Sequence, residues 1–297
     1  MTRIAVLLAA YNGIEWLTLQ VDSILRQKSV EVTIFISVDS SNDGTESMAD
    51  QLFLKYPEVS LLPHGERFGG AARNFYRLIR DVDFSRFDYV AFADQDDIWL
   101  EEKMIAAHDK ITTTNASAYS SNVTAFWPDG RKALINKAQK QRKYDFLFEA
   151  AGPGCSYVLK ASDALELKKF AIKNWTQVNE VSLHDWLIYA WFRANNLKWI
   201  IDPASHMLYR QHSSNQFGAN SGAKALVGRL SLLKNGWYRN EVKKISTLLS
   251  DKLKDIPLSL PSQGKIPFGY LMRSWSQLRR RLRDRIFLLV VVLLGIY

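Results

Sequence analysis

Cysteine is almost missing from this chain: Cys155 is the only one in 297 residues. A lone thiol cannot close an intramolecular disulfide, so nothing requires an oxidising compartment. There is no Gly-x-x-x-x-Gly-Lys-Ser/Thr element, which sets a P-loop enzyme aside. A glycine-rich phosphate loop with its lysine near the N-terminus, as in sugar nucleotidyltransferases, is also missing. Met1-Thr2-Arg3-Ile4 leads into an apolar run too brief for a signal-peptide core, so the catalytic body is expected in the cytoplasm. The apolar run Ile286 to Tyr297 falls clearly short of the about 20 residues that a membrane span needs. No internal repeat or low-complexity segment interrupts the chain.

What is present is globular in character, with 47% hydrophobic and 23% charged residues. The net charge of +9 is unevenly distributed: residues 224–297 hold 15 Lys+Arg against 4 Asp+Glu, and the remainder 24 against 26. A near-neutral body with a basic, apolar-ended tail points to an anionic membrane surface and away from nucleic acid.

Arg3 to Ala10 is a continuous apolar run ending at Tyr11-Asn12-Gly13, the pattern of a strand buried on both faces and then a turn. Leu17, Val21, Ile24 and Leu25 share one helix face within 14–27. Strands are expected over 30–38, 59–62 and 89–93, and helices over 45–56 and 71–80. This alternation implies a Rossmann-like, mostly parallel central sheet flanked by helices. Ligands of such sheets bind beyond the carboxyl ends of the strands, where the polar clusters at 11–13, 39–45 and 94–97 all fall.

Asp94-Gln95-Asp96-Asp97 sets three carboxylates within four residues after an apolar strand, and their mutual repulsion calls for a positive partner. A divalent cation that also binds diphosphate fits, although an acidic turn alone is as readily a solvated loop or helix cap. Asp39 to Thr45 offers polar side chains to a base and ribose, or a cap to the next helix. Gly69-Gly70 lets backbone approach a ligand ahead of Arg73 and Asn74. His184-Asp185-Trp186 opens an apolar helix, where an Asp is often only a cap. Tyr209-Arg210-Gln211-His212 follows the strand-like run Trp199-Ile200-Ile201.

The order and spacing of these clusters, with Gly152 to Cys155 between them, resemble the inverting glycosyltransferase family 2 over residues 3–220. Bacterial rhamnosyltransferases of surface-polysaccharide assembly look most similar. The resemblance implies a GT-A catalytic domain over 1–222 and a basic helical tail over 223–297. It implies donor-nucleotide contacts from Ala10, Tyr11, Asn12, Asp39, Ser41, Arg73, Asn74, Asp94 and Gln95. Asp94, Asp96 and His212 would hold Mg2+ or Mn2+. Asp185 would be the catalytic base, with a pKa raised by burial beside Trp186, and Gly152, Gly154, Cys155, His184 and Trp186 would form the acceptor site. Many members carry a second acidic residue where this chain has Ser40. The implied reaction moves a sugar from a nucleotide diphosphate donor, rhamnose on dTDP being favoured, to a lipid-linked or polysaccharide acceptor. A UDP-hexose or UDP-N-acetylhexosamine donor, or a non-catalytic nucleotide-sugar-binding protein, stays open.

In the tail, Leu226, Leu230, Leu233, Trp237, Ile245, Leu248, Leu249 and Leu253 fall on a helical repeat that suits packing on the body. Residues 279–297 join an arginine-rich stretch to the apolar end. They are expected at the phosphate level of the plasma membrane's inner face. A core helix or an oligomer contact is the plainer reading.

Overall fold

The computed structural model describes residues 1–212 and 231–297. The expected boundary at 222/223, with Leu226 and Leu230, lies outside the described residues. Nine strands form one sheet: β1 (Thr2–Ala10), β2 (Val30–Val38), β3 (Val59–Leu61), β4 (Tyr89–Asp94), β5 (Ile98–Trp99), β6 (Ala118–Phe126), β7 (Lys132–Ile135), β8 (Val158–Lys160) and β9 (Trp199–Arg210). Their order is β3-β2-β1-β4-β8-β6-β9-β5, with β7 beside β6. From β3 to β4 all pairings are parallel, as the βα alternation requires. Beyond β4 the sheet is mixed: β8 runs antiparallel to both β4 and β6, and β9 returns parallel to β6.

Helices α1 (Leu17–Leu25), α2 (Thr45–Lys55), α3 (Ala71–Asp81), α4 (Lys103–Thr114), α5 (Ala161–Lys173), α6 (Trp175–Glu180) and α7 (His184–Ala194) cover the two faces. The period-2 alternation of β1 divides its side chains between two cores. Ala5, Leu7 and Ala9 pack with α3, α5 and α7, while Ile4, Val6, Leu8 and Ala10 pack with α1, α2 and α4. Both sets must be apolar, which explains the unbroken run at the start of the chain.

The tail joins the first of these cores. Val242 and Ile245 of the helix Trp237–Leu248, then Leu271, Leu278, and Leu288 and Val291 of the helix Leu282–Leu293, are buried in the cluster that includes Trp186 and Tyr189. Two arginines expected at a membrane surface, Arg279 and Arg280, instead turn into the protein. Arg280 is 3% exposed and sits 3.5 Å from buried Asp145. The opposite face of the terminal helix exposes Leu282, Ile286, Val290, Leu293 and Leu294. Among the described residues, no helix is long and apolar enough to cross a membrane.

The strand ends nearest the polar clusters are tied together from α3. Asn74, 2% exposed, donates from Nδ2 to the carbonyls of Ala10 (3.2 Å) and Ser37 (2.9 Å), the last turns of β1 and β2. Replacing it with Leu removes both bonds and leaves buried carbonyls short of a donor. We expect a loss of about 1–3 kcal/mol in stability, read as a lowered midpoint in thermal or urea unfolding. An unchanged midpoint would show that Asn74 does not hold the strand ends.

Candidate active site

Three loops converge where β1, β2 and β4 end. Asn12 takes a left-handed φ of 45° and starts the turn into α1. Gln95 brackets Tyr11, accepting from its backbone N at 2.7 Å and donating to its carbonyl at 2.7 Å. A β-carbon at Gly13 would overlap the Gln95 side chain, so glycine is required for this closure. The loop after β2 is laced to the same turn. Ser41 Oγ accepts from Asn12 N at 3.0 Å, Asn12 Oδ1 accepts from Asn42 N at 3.0 Å, and Thr45 Oγ1 accepts from Gly13 N at 2.8 Å.

Asp39 is buried, and its carboxylate accepts from Phe68 N (2.7 Å), Gly69 N (2.9 Å) and Gly70 N (3.4 Å). Gly69 and Gly70 have φ of 79° and 149°, which a side chain would strain. The hydrogen-bond capacity of Asp39 thus goes largely to shaping the glycine loop. A cavity of about 340 Å³ opens beside this loop, lined by Gly69, Gly70, Arg73, Ser182 and Trp237 among others. Arg73 donates to the carbonyls of Asn179 and Phe68 at its rim.

The acidic quartet divides its labour. Asp97 is fully buried; its Oδ1 accepts from Arg210 N at 3.1 Å, and Arg210 Nε donates to the carbonyl of Asp96 at 2.8 Å. The end of β9 is thereby clamped to the loop after β4, which brings His212 Nε2 to 2.6 Å from Asp96 Oδ2. Trp16 stacks on His212 with ring centroids 4.3 Å apart. Burial, and then the charge of Asp96, push the pKa of Asp94 up to about 7. Burial also raises Asp97 and depresses Lys103, whose ammonium lies 3.5 Å over the Trp99 ring, to about 7.

Two sets of side chains here could hold a cation. Ligand atoms of Asp94, Asp97 and Cys155 lie within 4.8 Å of one another. Cys155 is buried with its thiol pKa raised, however, and Asp97 is tied to the backbone of Arg210. A hard cation that shares diphosphate oxygens suits Asp94 and Asp96 better, with the His212 imidazole beside them.

Asp185 sits in the first turn of α7, its Oδ1 accepting from Trp186 N at 2.7 Å. Burial raises its pKa to about 6, opposed by the Trp186 N–H and by Lys137. Its charge reaches Asp94, and adjacent loop residues lie against each acid: Gly154 beside Asp185 and Cys155 near Asp94. Beneath Asp185 runs the short helix Gly154–Ser156. A β-carbon on Gly154 would overlap His184 and lie 3.3 Å from Asp185 Cβ, so the backbone of residues 152–155 forms the floor of the site. His184 is buried against Phe75 with centroids 4.0 Å apart, and desolvation lowers its pKa to about 3, which makes it a neutral packing residue. Trp186 is also buried: its Nε1 donates to the carbonyl of Phe146 at 2.9 Å, and its ring stacks on Tyr238 of the tail.

Sequence reasoning passed over Lys103 and Lys137, and it assigned Arg280 to a membrane surface. Lys137 follows β7 on a segment whose backbone N–H groups, at Lys137 and Ala138, donate to Asn122 Oδ1. That anchor brings its side chain against Gly152, and burial and the nearby arginines lower its pKa to about 8. Nothing local in the sequence marks Lys137, because the contact that defines it comes from β6.

The sequence pattern of Glycosyl transferase family 2 matches residues 5–163. The dTDP-rhamnosyl transferase RfbG of Shigella flexneri is 45% identical over 291 residues, which is 98% of this chain and 100% of that protein. Among solved structures, S. aureus TarS (residues 1–349, in complex with UDP-GlcNAc) has a TM-score of 0.59 at 12% identity, covering 96% of this chain and 78% of that one. The mannosyltransferase PcManGT from Pyrobaculum calidifontis, in complex with GDP-Man and Mn2+, has a TM-score of 0.50 at 13% identity, covering 98% and 87%. At such identities the two structures speak for the fold alone. The family match spans more than half of the chain, and the Shigella relative is similar along nearly all of it. The chain belongs to glycosyl transferase family 2.

Proposed function

We propose that this glycosyltransferase moves rhamnose, with inversion, from dTDP-rhamnose to a lipid-linked or polysaccharide acceptor of cell-surface glycan synthesis. The observation that carries the reading is that adjacent residues of one loop meet both acidic centres: Gly154 lies against buried Asp185 and Cys155 lies near Asp94. Identity of 45% to a dTDP-rhamnosyl transferase supports the donor. A divalent cation, Mg2+ or Mn2+, at Asp94, Asp96 and His212 would neutralise the departing diphosphate. The Mn2+ and GDP-Man in the PcManGT complex are consistent with that role.

The chain's own residues supply the rest. The laced turns at Tyr11–Gly13 and Ser41–Thr45, with the cavity beside Gly69 and Arg73, offer hydrogen-bonding groups to the nucleotide. Asp185 takes the proton of the acceptor hydroxyl as that oxygen attacks the anomeric carbon from the face opposite the diphosphate. Its environment supports this, because a carboxylate desolvated to a pKa of about 6 is a stronger base than an exposed one and is still ionised at neutral pH.

The terminal helix supports peripheral attachment to the inner face of the plasma membrane. Its outward ridge of Leu282, Ile286, Val290, Leu293 and Leu294 is flanked by Arg283, whose side chain is 76% exposed. Such a face suits the interface of an anionic leaflet.

Four measurements test these assignments. Asp185→Asn should fold and bind dTDP yet lose roughly 10²–10⁴-fold in turnover. The wild-type rate should be half-maximal near pH 6 and fall as the base is protonated below it; wild-type turnover in the variant, or a rate flat from pH 7 to 4.5, would remove Asp185 from the role. Asp96→Ala should abolish the strengthening of dTDP binding by Mg2+ or Mn2+ in calorimetry, and retained metal dependence would count against that ligand. In flotation with vesicles containing anionic lipid, Ile286→Asp combined with Val290→Asp should release the protein, whereas co-flotation equal to wild type would exclude the helix as the contact.

A further inference from the structure

The loop that floors the site is held from two directions, and one of them is the tail. Residues 145–151 precede Gly152. On one side α7 grips them: Tyr189 donates to Asp145 at 3.0 Å, Arg193 pairs with Asp145 at 3.0 Å, and Trp186 donates to the carbonyl of Phe146. On the other side stands Arg280. Its Nη2 donates to the carbonyls of Ala150 at 2.7 Å and Ala151 at 3.4 Å, and its backbone N donates to Glu149 Oε1 at 2.5 Å. Its guanidinium also lies 3.5 Å from Asp145 Oδ2 and 3.6 Å from Glu149 Oε2. Arg279 extends the grip by donating at 3.1 Å to the Tyr238 hydroxyl, which in turn donates to the carbonyl of Phe148.

We propose that Arg280 is a positioning residue for sugar transfer, its guanidinium holding the backbone at Ala150 and Ala151 so that Gly152 to Cys155 stays pressed beneath Asp185. The proposal rests on the reading of Asp185 as the base and of that loop as the acceptor side. The fit between loop and base is already close, since a single added carbon at Gly154 would crowd Asp185 Cβ at 3.3 Å and overlap His184. Loosening the two carbonyls just before this glycine lets the floor drop and misaligns whatever lies between it and the base. The planar fork of Arg can hold carbonyls and carboxylates together, and Lys can do so only in part. Arg280 therefore acts through the loop, and it does so from 130 residues further along the chain.

The test follows dTDP release from dTDP-rhamnose with water as acceptor, in the full-length protein, with rates expressed per dTDP-binding site counted by titration. Arg280→Met should lower kcat on the order of 10- to 100-fold, the scale of an ångström's misplacement. The KM for dTDP-rhamnose should stay within about twofold, and Arg280→Lys should recover part of the rate. Loss of binding sites in proportion to activity, with a normal rate at each remaining site, would show that Arg280 only stabilises the fold and would overturn the proposal. So would a KM rising as kcat falls. Should Arg280→Met fail to fold because Glu149 keeps only the Arg279 guanidinium at 3.7 Å, the double variant Arg280→Met with Glu149→Gln removes that charge. It is expected to fold and remain slow, and a wild-type rate per site in it would sink the idea. Asp185→Asn run alongside separates the two readings. If it turns over normally, the assignment of the base fails; if it is inactive while Arg280→Met is not, the positioning role alone fails.

Discussion

Carboxylates crowded at the end of a buried strand are the constraint around which this site is built. β4 is apolar because both its faces are covered, so the first polar residues of its run emerge together at the sheet's edge. Like charges at this spacing and burial destabilise one another unless something compensates. The chain compensates unequally. Asp97 turns inward to a backbone N–H of β9 and the neighbourhood of Lys103, and so ties the loop to the far half of the sheet. Asp94 and Asp96 stay half-buried, with His212 drawn to Asp96 by the same clamp. One acid of the three is structural, and the other two are the ligands proposed above.

The parallel half of the fold was legible because each strand is a short apolar run closed by a polar turn. In the other half only the start of β9, Trp199-Ile200-Ile201, was legible. β6 reads Ala-Tyr-Ser-Ser-Asn-Val-Thr-Ala-Phe, with Ser120, Ser121 and Asn122 all buried, and β8 has three residues. Neither shows the periodicity that marks a strand. The resemblance placed Asp94, Asp96, Asp185 and His212 in one site; the structure sets His212 against Asp96, and the charge of Asp185 reaches Asp94. It did not show that Asn74 bridges β1 to β2, or that His184 and Trp186 face the core. Lys137 and Arg280 escaped for a physical reason: their significance comes from Asn122, Gly152 and Glu149, none of them close in sequence.

The tail shows where charge counting runs out. A tally of arginines cannot distinguish those facing water from those facing buried acids. Arg279 and Arg280 meet Glu149 and Asp145, while Arg283 stays outside. One short stretch therefore looks both ways, toward the loop under Asp185 and toward the outward apolar ridge. The proposed attachment and the proposed positioning role meet within a few residues.

Asp39 carries a lesson for anyone who would retune the enzyme. Its oxygens serve three successive backbone amides around Gly69, so that loop takes its shape from an acid on another strand. Swapping this residue in the hope of admitting a different nucleobase would unseat the glycines before it altered any preference. A library aimed at new donors is better directed at Arg73, whose bonds run to two backbone carbonyls at the rim of the cavity and not to the turn on which the nucleotide would rest.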